Sequence, residues 1–468
     1  MSRAVGRRPL GPSYRKLFAS AVSANLGDGL MAIAVVWLAS ALTRDAMVIA
    51  IIGLLSRLPW LVFTLPAGVI ADRVDRRRLV AWMDVIRFAL IAMFGLVVLR
   101  FQDGVPTPEE LAAGAAPPAS APVLLIALGA LSLLLGFAEV LRDNTAQTLM
   151  PAVVDKSQLE RANGRLWGAE TAMNNFVGPP LGGVLIAIAL AVPFLINAGL
   201  LAVSAALVFA MVGSFRPAGE PRTGKIAWRA EIGEGFRWLW RHRLLRPLAL
   251  LLGGMNMLSS MAFVVLVLFV QDVLGLYEGW QFGLVTTGVA TGAVIGSLVS
   301  DKVAERLTPG TSLFVAIVGS GVATAAMALT TSAVLFWVAG VLSGVLIVLW
   351  NVITVSLRQR LIPDQLLGRV NSVYRFFGWG TISIGTALGG VMVTAAEPLL
   401  GREWALRAPL LVAAVLTLSL LIYAVGRVGT PQIRAAESEA EAAGADSSQP
   451  TDQVPPVDEG TSAVVGEE

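Results

Sequence analysis

The chain has no cysteine and only one histidine in 468 residues. Without cysteine there is no disulfide, no thiolate metal ligand and no thiol nucleophile. His242 lies in a basic stretch with no partner for a metal site or a catalytic triad. Charge is scarce too: 14% of residues are Asp, Glu, Lys or Arg, against about 25% in a soluble domain. Classical hydrolase and metalloenzyme chemistry has little to work with.

What the chain has is apolar sequence. It is 56% hydrophobic, with a mean hydropathy of +0.73. The apolar residues come in runs of about 20 or more, enough for a helix to cross a bilayer core of about 30 Å. Twelve spans are expected, at roughly 17–42, 46–70, 79–101, 122–149, 163–189, 192–213, 246–273, 280–300, 310–330, 332–357, 368–395 and 406–427. Spans 5 and 6 are nearly fused, with Pro193 as the break, so a merged count of eleven is the alternative. The first run is too long for a signal-peptide core and reads as an uncleaved span.

Basic residues set the expected orientation. With the N-terminus inside, cytoplasmic segments hold 27 of the 35 Lys and Arg residues. The opposite side holds Arg44, Arg100, Arg402 and Arg407, and Arg57, Arg87, Arg142 and Arg375 fall within spans. Both termini are thus expected in the cytoplasm, and the chain's Arg:Lys ratio of 31 to 4 suggests a GC-rich bacterial genome. Residues 103–122 form a Pro/Ala-rich external loop. Residues 214–245 link two halves, 1–213 and 246–428, and carry a basic, Trp-bearing helix expected in the interface. Residues 429–468, with nine acids and one base, are expected to be disordered.

The two halves repeat. Asn25 matches Asn256 and Asp72 matches Asp301, at offsets of 231 and 229. Asn144 matches Asn351, and Gly182-Gly183 matches Gly389-Gly390, both at 207. The 103–122 insertion, absent from the second half, accounts for the drop. Six plus six spans in parallel repeat is a transporter architecture with its site between the halves.

Two motifs narrow this. GVIADRVDRR resembles the loop 2–3 signature of the major facilitator superfamily, through Gly68, Asp72, Arg73, Arg76 and Arg77. Asp75 stands where that signature has glycine, and is expected to tolerate left-handed geometry. GSLVSDKVAERL is a degraded second copy retaining Asp301 and Lys302. These residues would form a conformational latch; a simple positive-inside signal is the plainer reading. GPPLGG, with Gly178, Pro179, Gly182 and Gly183, resembles the end of the superfamily's exporter signature, although Asn174 replaces its upstream glycine. The wider stretch is similar to the branch holding macrolide and tetracycline efflux proteins and the enterobactin exporter. The resemblance covers about residues 15–428. It implies an all-α membrane protein of twelve transmembrane helices in two six-helix bundles, and proton-driven export.

An acid at span centre costs about 2.5–3.5 kcal/mol on insertion scales. Asp28 and Arg57 lie near mid-span, and Glu139, Arg142 and Asp143 lie in span 4, with Asp84 and Arg87 in span 3. Asp28 or Glu139 would carry the proton, with Arg142 or Arg57 moving relative to the acid to switch its affinity. Static ion pairs that hold helices together are the competing reading. Asn25, Asn174, Asn175 and Asn256 are candidate cavity residues, or else helix bridges. Trp60, Trp82, Trp350 and Trp379 would stack on cargo or anchor the fold. The expected partners are a small-molecule substrate, protons and membrane lipid, with no nucleic acid, no cofactor and no metal, and the chain would act as a monomer in the bacterial inner membrane. Uptake by symport, and a non-transporting sensor, are the alternatives to export.

Overall fold

The computed structural model describes residues 10–71, 74–155, 158–213, 215 and 228–447. Among them there is no strand. In lipid the backbone must satisfy its own hydrogen bonds, and a helix does this within one segment. The helices begin where the sequence supplies a start signal. Pro12 opens α1 (Pro12–Leu42) at a position where a missing N–H costs nothing. Thr308 and Ser332 cap α13 (Pro309–Leu329) and α14 (Ala333–Leu361) with their hydroxyls.

The remaining elements are α2 (Ala46–Ala71), α3 (Arg76–Phe101), the short α4 (Pro108–Ala112), α5 (Ala121–Val153), α6 (Leu159–Thr171), α7 (Gly178–Ile188) and α8 (Val192–Phe209). After the linker come α9 (Trp228–Arg241), α10 (Leu245–Phe263), α11 (Leu266–Asp272), α12 (Gly279–Arg306), α15 (Asp364–Ala424) and α16 (Thr430–Ser447).

Nine stretches among the described residues are long and apolar enough to cross a membrane on their own. Three features reconcile nine with twelve. Span 5 is interrupted by a π-helical turn, Ala172–Val177, between α6 and α7. Span 7 breaks between α10 and α11. α15 has 61 residues, and Gly401 at φ 75° folds it into spans 11 and 12. A straight helix of that length would run about 90 Å, three times the bilayer core.

Helix pairing repeats with an offset of six spans. Spans 1 and 5, 2 and 4, 3 and 6, and 3 and 4 pack in the first half. Spans 7 and 11, 8 and 10, 9 and 12, and 9 and 10 pack in the second. Small residues permit these approaches. A Cβ on Gly385 would fall 2.0 Å from the Met257 carbonyl oxygen, and one on Gly344 would fall 2.0 Å from that of Val289.

The halves meet chiefly toward one end, which carries Arg44, Asp272 and Arg402. α2 lies on α15 there: Gly390 faces Ala50, Gly53 faces Thr386, and Trp60 stacks on Trp379 with ring centroids 5.7 Å apart.

α9 meets α10 at 105°. His242 sits at this elbow, and its Nδ1 accepts from the N–H groups of Leu244 and Leu245, each at 3.2 Å. The imidazole thus caps α10 and must be unprotonated at Nδ1 to do so. Burial holds His242 below its ordinary value of 6.5, with Glu439 opposing. The neutral form is the folded form, so this stabilisation is complete above about pH 6.5 and is lost as pH falls toward the folded value. A cap is worth about 1 kcal/mol, so amide protection at Leu244 and Leu245 should fall about fivefold in hydrogen exchange across that window.

Two expectations need correction. Residues 430–447 of the tail are helical, not disordered. Ile433 is fully buried against the second-half core, and Arg360 pairs with Glu437 at 2.9 Å. The few apolar residues of this stretch, Ile433, Ala436 and Ala440, recur on one helical face and suffice to dock it. Residues 448–468 lie outside the described residues. Asp75 is not left-handed: it has φ −64° and caps α3, its carboxylate accepting from the N–H of Arg78 at 3.0 Å. An N-cap is extended, so the aspartate serves here through its side chain and not through glycine-like freedom.

Candidate functional site

The charges inside the first half converge on α3. Val80, Ala81, Asp84, Arg87, Ile91 and Phe94 form its buried face. Asp84 and Arg87 therefore project into the bundle between α1, α5 and α8. Asp84 is 0% exposed. Its carboxylate accepts from Arg142 Nε at 3.3 Å and from Ser204 Oγ at 2.6 Å, and Arg87 lies 3.7 Å away. Ser20 Oγ is 2.7 Å from Ser204 Oγ, completing the chain of donors. Arg142 also bonds Asp143, at 3.0 Å. Arg87 forms an ion pair with Asp28.

This pairing differs from the expected one. The arginine beside Asp28 is Arg87, not Arg142 or Arg57. Arg142 is held by Asp84 and Asp143. Arg57 is exposed and makes no ion pair with a described residue. Glu139 is half-buried and likewise has no ion pair among the described residues. Asp28, Asp143, Arg87 and Arg57 are the charges that act on it. The sequence carried a signal for Asp84 and Arg87: they stand three apart and share the spacing of the buried apolar residues Ala81 and Ile91.

The expected cavity asparagines divide. Asn256 donates to the Gly378 carbonyl at 2.8 Å and bridges α10 to α15. Asn25 donates to Ala21 at 2.9 Å and Asn175 to Thr171 at 3.3 Å, each on its own span. Asn174 is half-buried, and its carbonyl oxygen lies against Gly29. Asn256, Asn25 and Asn175 thus commit an amide N–H to structure, and Asn174 and Asn175 sit in the π turn.

GPPLGG packs on two sides. Gly178 and Gly182 lie against Gly29 and Leu30 of α1. Gly183 faces Gly279, and Pro179 faces Gly283, both in α12 of the other half. One helix face thus seals its own bundle while the other forms the seam between bundles.

The expected latch is only partly described. Asp72 and Arg73 lie outside the described residues, as do the surroundings of Gly68 and the side chain of Asp301. Arg76 N donates to Phe215 O at 3.3 Å and Arg77 donates to the Met211 carbonyl, so both hold the end of span 6. Lys302 is exposed.

A different charge cluster joins the halves at the other end. Arg44 pairs with Asp272 and donates to Gln271, which donates to Ser40 at 2.9 Å. Arg402 bonds Asp272 at 3.0 Å, Glu397 at 3.1 Å and the Arg44 carbonyl at 2.9 Å. In the sequence these arginines register only as the minority charges of one side. Asp272→Asn should weaken this clamp by about 1–2 kcal/mol, shifting the population open at this end about 5- to 30-fold. Spin-label distances between positions 188 and 331 would report it.

The family model of the Major Facilitator Superfamily matches residues 17–386. The chain belongs to this superfamily. It is a family of transporters, not of enzymes, and the chain is a multi-pass membrane protein. Among curated relatives, the multidrug efflux pump Tap of Mycolicibacterium fortuitum is 25% identical over 397 residues, covering 82% of this chain and 90% of that protein. The enterobactin exporter EntS of Shigella boydii serotype 4 is 25% identical over 439 residues, covering 91% and 96%. The fold matches that of a solved bacterial homologue of the human lysosomal transporter Spinster, with a TM-score of 0.68, 15% identity and coverage of 93% and 99%. A bacterial homologue of the iron transporter ferroportin matches with a TM-score of 0.63, 18% identity and coverage of 89% and 99%.

Proposed function

We propose that this superfamily member is a proton-coupled exporter of a small amphipathic compound, working by alternating access. One observation carries the reading. Three carboxylates, Asp28, Asp84 and Asp143, pair with two buried arginines, Arg87 and Arg142, and a fourth, Glu139, lies within reach of the same charges. Carboxylates are in excess, and Glu139 has no ion pair among the described residues. An acid left without a cation inside a bilayer is held charged at the greatest cost, so it is the group to take a proton. Protonating Glu139, or protonating Asp28 once it has parted from Arg87, changes the charge balance of the first half alone. One proton crossing 100 mV supplies about 2.3 kcal/mol, enough to bias two conformations roughly fiftyfold.

The seam carries the conformational part. The halves touch through glycine backbones, the Trp37–Phe282 and Trp60–Trp379 ring contacts and a polar clamp at the Arg44 end. With the basic residues cytoplasmic, this is the external end, and the shape is closed outward. Export direction is supported by the likeness to Tap and EntS, whose names give drugs and enterobactin as cargo. The exporter signature points the same way.

The test is transport in everted vesicles energised by a proton gradient. The cargo is first found by screening a deletion strain against antibiotics and enterobactin. The exporter reading requires accumulation of that compound, collapsing when the gradient is dissipated. Loss of the compound from vesicles on energisation would instead show uptake.

A further inference from the structure

We propose that the elbow between α9 and α10 binds the phosphate of an anionic phospholipid. The 105° bend lays α9 across the end of the bundle instead of extending span 7. One flank of α9 is packed against α15. Leu239 is buried, Gly235 abuts the Arg369 backbone, and Glu234 pairs with Arg369 at 2.5 Å. The other flank is open. It carries Phe236 and Trp240, 43% and 42% exposed and stacked with centroids 5.3 Å apart. Arg237, Arg241, Arg243 and Arg246 are exposed beside them.

Between the flanks lies a groove of about 380 Å³ lined by Glu234, Arg237, Trp238, Arg241, His242 and Leu366. Its donors outnumber its acceptors. Glu234 is already taken by Arg369. Arg237 and Arg241 stand one helical turn apart and form no ion pair with a described residue. Because Nδ1 of His242 accepts backbone N–H groups, the neutral ring carries its proton on Nε2 and offers a third donor. Glu439 of α16 adds one exposed acid on the His242 side. Two guanidinium forks and an N–H form an acceptor-seeking site that suits a phosphodiester.

The aromatic pair decides between a lipid and a dissolved anion. A soluble phosphate gains nothing from exposed Phe236 and Trp240. A lipid headgroup brings an interface in which such rings are at home. Basic helices at the cytoplasmic surface attract anionic lipid. Because Leu366 of α15 shares the groove with α9, a bound lipid would staple the linker helix to span 11. None of this depends on what the protein transports.

The test uses the purified full chain, delipidated and exposed to dioleoylphosphatidylglycerol or dioleoylphosphatidylcholine, with retained lipid counted by native mass spectrometry. Each arginine near an anionic headgroup contributes about fivefold in affinity. The double variant Arg237→Gln/Arg241→Gln should therefore lose phosphatidylglycerol about thirtyfold. Removing equal charge outside the groove, in Arg243→Gln/Arg246→Gln, should cost clearly less. The single variants Arg237→Gln and Arg241→Gln, each about fivefold weaker, give the same reading should the double variant not fold. Equal retention of both lipids by the wild type, or equal losses from the two double variants, would overturn the site. Displacement of the lipid by excess inorganic phosphate would make it a soluble-anion site and would also refute the proposal.

Discussion

Asp84→Ala is expected to yield little or no folded protein. Asp84 is fully buried and anchors Arg142, Arg87 and Ser204 at once. Removing one member of a buried ion pair leaves the others charged and unmatched, a cost of about 3–5 kcal/mol. That is a large share of a total stability of about 5–15 kcal/mol. Asp28→Asn should behave differently. Asp28 is 21% exposed, the amide keeps its shape, and Arg87 retains Asp84 within 3.7 Å. Melting temperature in detergent separates the two: a large fall for Asp84→Ala, a small one for Asp28→Asn. Equal melting of Asp84→Ala and wild type would show that this network does not hold the bundle together.

Gly183→Val should force the halves apart at the Arg44 end. A Cβ at Gly183 would lie 2.2 Å from the Gly279 carbonyl oxygen and 2.6 Å from its carbon. Both are backbone atoms on the neighbouring half, so no rotamer relieves the clash. Overpacking of this kind costs about 1–3 kcal/mol, which changes the ratio of closed to open forms about 5- to 150-fold. The control is Gly199→Ala, where an added Cβ meets nothing within 4 Å. Distances between labels in the two halves should lengthen for Gly183→Val and stay unchanged for Gly199→Ala. Unchanged distances in both would mean that this glycine contact does not set the seam.

The fold was legible because its determinants are local and repeated: apolar run length, basic flanks, and the matched pairs Asn25 with Asn256 and Gly182 with Gly389. The breaks were less so. Nothing in AMNNFV demands a π turn, and Gly401 is one glycine among 47 until its φ is known. Within the site, residue types and depth marked Asp28, Glu139 and Arg142 as noteworthy. Their pairing depends on helix rotation, which one sequence does not fix, and so Arg87, rather than Arg142 or Arg57, stands beside Asp28. The Arg44–Asp272–Arg402 clamp was illegible for the same reason: its members are 228 and 130 residues apart and meet only once the halves dock. The tail helix was missed because composition averages over 40 residues, while docking needs only the face bearing Ile433.

Proton occupancy of Asp28 and Glu139 is expected to shift the two halves relative to each other. The chain has no cysteine, so Ile188→Cys and Thr331→Cys place a single pair of spin labels across the seam. Both positions are exposed and belong to opposite halves. Their distance distribution should redistribute as pH falls from about 8 to about 5 and acids take up protons. Adding Asp28→Asn and Glu139→Gln should hold it fixed over that range. An equal pH response in the quadruple variant, or none in the labelled parent, would contradict the claim.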